Sequence, residues 1–249
     1  MPDVVPEGIL NSFNSIIPSG LNIIIWYGLG IAISYFTKGA MTLGTLVTTV
    51  IATPLSYLVS PLGMVVIIIV FCLSWFFGIH GGSVVFTAIM PLYIAAYATN
   101  AELAVAGKEL VFNPIFLYGA VSILGGSGNT LPLCVMGLKS KSKQISAVSK
   151  AALVPGLFNI NEPAIFGFPI MYNPILLIPF TLNSLVVMGF MYVAYKFGLM
   201  SLPQVLIMTT LPVGIQSLMS TLDWRNVVFA LLMFPVCLLY TSPSPRDTR

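Results

Sequence analysis

The sequence predicts an all-α polytopic membrane protein, on three observations. Of 249 residues, 57% are hydrophobic and 7% charged, with mean hydropathy +0.99. A soluble domain carries about 25% charged residues, so this chain cannot cover itself with a water-exposed surface. Apolar runs recur along its length, separated by short polar or Gly/Pro-containing connections. In one run, residues 158–180, a lone carboxylate, Glu162, sits among Pro163, Pro169, Pro174 and Pro179. Four prolines at that spacing cannot share one regular helix. Broken backbone at membrane depth is tolerated only where protein buries it or it lines a wet cavity. An acid there costs about 2.5–3.5 kcal/mol on insertion scales, which marks it as functional. The segment is expected to be a re-entrant or discontinuous element carrying a polar site, as transporters build.

The elements follow in order. Residues 21–36, with Trp26 and Tyr27, read as a first spanning helix. Residues 41–57 mix Thr and Ser with aliphatics; they read as an interfacial amphipathic helix, with a short span as the alternative. Residues 62–78 should span. Residues 84–97 are a further apolar stretch, interrupted by Pro91. Residues 100–113 hold Glu102, Lys108 and Glu109 and read as a solvent-facing loop. Residues 114–136 contain Gly125-Gly126-Ser127-Gly128-Asn129 and Pro132, which predicts a bent or broken helix. Residues 139–150 carry Lys139, Lys141, Lys143 and Lys150, and short lysine-rich loops stay cytoplasmic. The broken segment covers 153–179, and a regular span begins within it and runs over 175–196. Residues 199–219 and 226–240 supply two last spans, joined by Asp223-Trp224-Arg225.

Both ends differ from this pattern. Residues 1–20 are polar, proline-containing and without a basic start, so they read as a linker following an earlier region rather than a signal peptide. Residues 21–236 form the transmembrane portion. Residues 226–240 fall short of the ~20 a span needs. Residues 237–249 end in Thr-Ser-Pro-Ser-Pro-Arg-Asp-Thr-Arg and read as a non-native tail.

Several classes of function are disfavoured. Cys72, Cys134 and Cys237 are far apart in apolar runs, which suits small buried hydrophobes rather than metal ligands or disulfides. No phosphate-cradling Gly-x-x-x-x-Gly-Lys-Ser/Thr loop occurs. No basic stripe interleaved with aromatics suggests nucleic-acid binding. No cofactor is called for.

Three places set polar or flexible groups in apolar context. The only histidine, His80, lies in Trp75-Phe76-Phe77-Gly78-Ile79-His80-Gly81-Gly82-Ser83. Glycines such as Gly81 let backbone approach a ligand closely. Gly125–Asn129 permits an unusual turn, with Gly126 as a candidate contact. The third place is Asn159–Pro163, where Asn161-Glu162 offers an amide beside a carboxylate, which suits a hydroxyl-rich ligand. A carboxylate and an imidazole are the minimum parts for taking a proton from a hydroxyl, so Glu162 and His80 are the candidate catalytic pair. Trp75, with Phe76, Phe77, Phe166 and Phe168, could offer an apolar face to a sugar ring. An ion-coupled transporter would also use broken helices but would want more intramembrane acids. A scaffold or sensor would leave the Asn-Glu pair unexplained.

Trp-Phe-Phe-Gly-Ile-His-Gly at 75–81, Gly-Gly-Ser-Gly at 125–128, Lys-Ser-Lys-Gln at 141–144 and Pro-Gly-Leu-Phe-Asn-Ile-Asn-Glu-Pro-Ala-Ile-Phe-Gly-Phe-Pro-Ile at 155–170 occur in that order. Together with Asp223-Trp224-Arg225, they resemble the lactose/cellobiose family of phosphotransferase-system enzyme IIC permeases. The resemblance implies a bacterial inner-membrane permease with an enzyme IIC-like substrate-binding domain. It implies import of a β-linked disaccharide of the cellobiose, chitobiose or lactose class. It implies that phosphate reaches the sugar's 6-hydroxyl from a cysteine of cytosolic enzyme IIB, itself supplied through enzyme IIA. It places His80 and Glu162 at the sugar, with Asn161 as a neighbouring ligand, and implies a homodimer. It also implies that the helices building most of the dimer contact precede this chain and that the last helix is cut.

Overall fold

The computed structural model describes residues 7–241. Among them every regular element is helical. The chain divides into two compact units, Met1–Thr53 and Pro54–Arg249.

In the first unit, α1 runs over Glu7–Phe36. Residues 7–20, expected as linker, are therefore helical and continuous with the first span. Its stretch Asn14–Phe36 has 23 apolar-rich residues, enough to cross ~30 Å of hydrocarbon. Ile16, Ile23, Ile24, Trp26, Tyr27 and Ile31 are exposed around it, as suits contact with lipid. The helix stops because Gly39 takes a left-handed φ of 80° and its N–H reaches back to Ser34 O at 2.7 Å. α2 follows at Leu43–Ser56.

The second unit is organised around α3, Pro61–Phe76. Ser60 caps it by accepting from Gly63 N at 2.9 Å, and Pro61 sits where no donor is needed. Met64, Ile67, Ile68, Phe71, Cys72 and Trp75 repeat at helical spacing and are all buried. They pack against α8, Pro174–Lys196, and against a 3₁₀ segment over Pro114–Val121. A π-type turn at Gly82–Phe86 leads into α4, Thr87–Val105. Pro91 lies within the first turns of α4 and has no N–H to give the turn before it, close to where the π-type turn meets the helix. The remaining elements are α5 (Leu131–Gly137), α6 (Lys143–Leu157), α7 (Glu162–Gly167), α9 (Ile215–Thr221) and α10 (Trp224–Thr241).

Several expectations are corrected. The expected loop at 100–113 is helical to Val105. Asn100 is fully buried: its Nδ2 donates to Pro203 O at 2.9 Å and its Oδ1 accepts from Val111 N at 2.9 Å. The lysine-rich loop is helical from Lys143 onward, capped by Ser142. The largest difference is at 199–219, which is not a span. Residues 201–213 are irregular and only α9 is helical. Pro203 and Pro212 interrupt helical bonding there, and Gly214 turns the chain with a φ of 83°. Residues 237–241 continue α10, with Cys237 buried. The rest of the expected tail, 242–249, lies outside the described residues.

The irregular stretch is gripped at its start by the Asp-Trp-Arg-Asn turn. Arg225 donates to Asp223 Oδ2 at 2.8 Å, to Gly198 O at 3.0 Å and to Ser201 Oγ at 3.1 Å. The Ser201 hydroxyl donates to Asp223 Oδ2 in turn. Asn226 holds both the N–H and the C=O of Ser201, at 3.2 and 3.1 Å. Hydrogen bonds from Arg225 first, then Ser201, pull the Asp223 carboxyl down from 3.8 to about 2. A depressed folded-state value stabilises the fold above the unfolded value and loses that contribution as the pH falls through the folded one. Thermal unfolding in detergent should therefore lose stability from about pH 4 down to about pH 2. Asp223→Asn should lower the midpoint by a few degrees at neutral pH and flatten that acid limb. An unchanged acid limb would contradict the clamp.

Candidate functional site

The histidine side of the site begins where α3 ends. Gly78 adopts a φ of 75°, and the N–H groups of Phe77, Gly78 and Ile79 close onto Leu73, Trp75 and Ser74 carbonyls at 3.1, 3.0 and 2.9 Å. The chain folds back so that the His80 ring lies over the Trp75 indole, centroids 4.5 Å apart. Trp75, only 1% exposed, is thus a support beneath His80 rather than an open face for a ligand. Gly81 is buried too. A Cβ there would meet Phe71 O at 2.6 Å, so the glycine serves close packing.

The carboxylate side comes from the proline-broken segment, which breaks where the sequence predicts. α6 stops at Leu157, Asn159 takes a left-handed φ of 60°, and α7 starts at Glu162 beside Pro163. Glu162 Oε1 and His80 Nε2 are 3.3 Å apart.

The tautomer of His80 follows from its other nitrogen. Nδ1 accepts the backbone N–H of Ser83 at 3.0 Å, with the Ser83 hydroxyl at 3.2 Å. An amide N–H can only donate, so Nδ1 carries a lone pair and the proton sits on Nε2. His80 is therefore a neutral donor aimed at Glu162, and Glu162 Oε1 is the acceptor. Glu162 Oε2 is shielded and has no hydrogen-bond partner among the described residues. The pair is more open than a buried acid would be: the His80 and Glu162 side chains keep 46% and 43% of their surface. Only the Oε2 side of Glu162 is closed in.

The third component is the glycine loop between the 3₁₀ segment and α5. Asn129, fully buried, replaces missing backbone partners by accepting from Leu124 N at 3.0 Å and donating to Ala120 O at 2.9 Å. The loop is tied to the carboxylate segment twice. Asn161 Nδ2 donates to Ser127 O at 2.6 Å, and Asn159 Oδ1 accepts from Gly125 N and Gly126 N at 2.9 and 3.3 Å. Gly126 has a φ of 78°, and a Cβ on it would lie 2.7 Å from the Asn161 carboxamide. Gly126 is needed so that Asn161 can sit against the loop. Asn161 itself is 4% exposed, with its amide nitrogen committed to Ser127.

A cavity of about 630 Å³ opens beside this junction. His80, Ser83, Ser127 and Asn159 line one part of it, and Tyr97 and Ser220 line another. Its size and its mix of aromatic walls with a few polar groups fit a small-molecule site. Glu162, Asn161, Trp75, Gly81 and Gly126 are not in its wall; His80 links the cavity to Glu162. Two participants, Ser83 and Asn159, lie within the stretches 75–83 and 159–163 that the sequence marks, but were not among its candidate site residues. Ser83 acts through backbone N–H, which leaves only the His-Gly-Gly-Ser spacing as a signal. Among the described residues, no three His, Cys, Asp or Glu side chains gather as a metal site.

An all-helical fold with apolar candidate spans, and a broken segment whose carboxylate meets an imidazole from the end of α3, has the discontinuous-helix architecture that transporters use. The chain belongs to the phosphotransferase system EIIC family, whose model matches residues 1–184. It is 37% identical over 207 residues to the lichenan permease IIC component of Bacillus subtilis (strain 168), covering 82% of this chain and 45% of that relative. It is 32% identical over 226 residues to the oligo-beta-mannoside-specific EIIC component of the same organism, covering 89% and 51%. Against the lactose-specific EIICB component of Streptococcus mutans serotype c (strain ATCC 700610 / UA159), identity is 36% over 193 residues, 75% of this chain and 33% of that one. A similar solved structure is the transporter ChbC, the IIC component from the N,N'-diacetylchitobiose-specific phosphotransferase system. The TM-score is 0.70 at 29% identity, covering 96% of this chain and 56% of ChbC. The chain thus spans about half the length of the IIC relatives it matches. The resemblance read from the motifs is borne out, and family membership favours the phosphotransferase reading over ion coupling.

Because the chain has one histidine, its tautomer can be read without assignment ambiguity. Nitrogen NMR of ¹⁵N-histidine-labelled protein at neutral pH should show protonated Nε2 and bare Nδ1. A protonated Nδ1 would contradict the Ser83 hydrogen bond.

Proposed function

We propose that this chain is the sugar-holding portion of a phosphotransferase-system permease for a disaccharide of the cellobiose, chitobiose or lactose class. The observation that carries the reading is the His80–Glu162 pair. A neutral imidazole donates to one carboxylate oxygen, and the other oxygen is left without a partner. A sugar hydroxyl approaching the half-exposed side of Glu162, away from the closed-in Oε2, can pass it a proton. In the proposed step, the hydroxyl oxygen forms a P–O bond as the P–S bond to the enzyme IIB cysteine breaks. The hydroxyl proton passes to Glu162, and the sulfur leaves as thiolate. Asn161 and the glycine loop fix the position of Glu162, and the adjoining cavity offers space for the sugar rings.

The relatives' names support the sugar class: lichenan, oligo-beta-mannoside, lactose and N,N'-diacetylchitobiose. The protein sits in the bacterial plasma membrane with the lysines of 139–150 toward the cytosol, where enzyme IIB, fed by enzyme IIA, approaches. The intact permease works as a homodimer.

Phosphate transfer from phosphorylated enzyme IIB to cellobiose, diacetylchitobiose or lactose tests this. Glu162→Gln should lose roughly 10²–10⁴-fold in rate with its unfolding midpoint preserved. Normal transfer by that variant would remove Glu162 from the chemistry. His80→Ala should weaken sugar binding roughly tenfold, in line with one lost hydrogen bond to a charged group. Unchanged affinity would make His80 purely structural.

A further inference from the structure

Asn159 lies two residues before Asn161, lines the cavity and engages both ends of its carboxamide. Oδ1 accepts from Gly125 N and Gly126 N. Nδ2 donates to Leu211 O at 3.3 Å. One side chain therefore joins three irregular stretches: the glycine loop, the turn before Glu162, and the 201–213 stretch. A second bond runs parallel to it, from Val213 N to Leu157 O at 2.8 Å. The far end of 201–213 is anchored separately, by the Arg225–Asn226 grip on Ser201 and by Gln204 N and Val205 N donating to Ser220 O, each at 2.9 Å. Between the anchors, Ile207, Met208, Thr209 and Thr210 face the cavity.

We propose that Asn159 is a positioning residue: it fastens the 207–213 stretch to the glycine loop and so holds the cavity wall in register with His80 and Glu162. The residue type fits the task. A left-handed φ is tolerated by Asn, Asp and Gly, and among these only Asn can accept from two amides while donating to a carbonyl. An aspartate would keep the contacts to Gly125 and Gly126 and repel Leu211 O. A glycine would keep the backbone and release both sides. The proposal deepens the reading above and rests on it only for its sugar readout.

Hydrogen exchange by mass spectrometry and sugar binding test it together, on wild type, Asn159→Gly and Asn159→Asp in detergent. In Asn159→Gly, peptides covering 124–127 and 207–213 should both exchange faster, by roughly tenfold, as the loss of about one hydrogen bond implies. In Asn159→Asp, 124–127 should stay protected and 207–213 should loosen. Both variants should bind sugar more weakly while keeping the wild-type number of sites, which a general loss of folded protein would not produce. Unchanged exchange over 207–213 in both variants would overturn the proposal, as would wild-type affinity in a variant whose 207–213 stretch is freed. If wild type binds no sugar, the functional reading fails, and the exchange pattern still decides the role of Asn159. Should Asn159→Gly not fold, Asn159→Asp alone separates the two halves of the clamp.

Discussion

Everything near the site depends on one constraint: broken backbone inside a membrane protein must find hydrogen-bond partners without water. Here asparagine carboxamides provide them. Asn129 closes the glycine loop on itself, Asn161 and Asn159 tie that loop to the carboxylate segment, and Asn100 secures Pro203 on the irregular stretch. A carboxamide donates and accepts from one planar group, so it can replace a peptide partner that no neighbouring turn supplies. The candidate site side chains inherit their positions from this scaffold. Glu162 is where it is because the turn before it is pinned, and His80 because α3 ends in a glycine turn over Trp75.

The same constraint explains why the site is built on irregular elements. A regular helix consumes its own N–H and C=O groups and leaves only side chains to meet a ligand. The turns at 77–83, 122–130 and 158–161 release backbone donors, and one of them, Ser83 N–H, sets the state of His80. The imidazole then acts as a neutral donor that orients Glu162. This division of labour gives Oε1 to the histidine, while Oε2 stays closed in without a partner among the described residues.

Much of this was legible in the sequence because prolines and an isolated acid carry strong physical penalties. Pro163 and Pro174 mark helix starts, and Glu162 meets His80 across 82 residues of chain. The misreadings have one origin: local composition does not report long-range bonds. Residues 199–219 are apolar enough to span, yet Pro203, Pro212 and a distant partner, Ser220 O, keep them irregular. Asn100 looks like a loop residue until Pro203, 103 positions away, accepts its amide proton. Trp75 reads as a sugar platform by type, but its place on the buried stripe of α3 makes it a floor for His80. Gly81 and Gly126 read as ligand contacts by type, and the structure places both in close packing.

The central claim is that a sugar sits at the His80–Glu162 pair. Since His80 is the chain's single histidine and its side chain is half exposed, its rate of modification by diethyl pyrocarbonate reports on that spot alone. A cognate β-linked disaccharide should slow the modification saturably, at concentrations matching its binding curve, while a non-cognate sugar should leave the rate unchanged. Full-speed modification of His80 in protein saturated with bound disaccharide would place the sugar elsewhere and contradict the claim.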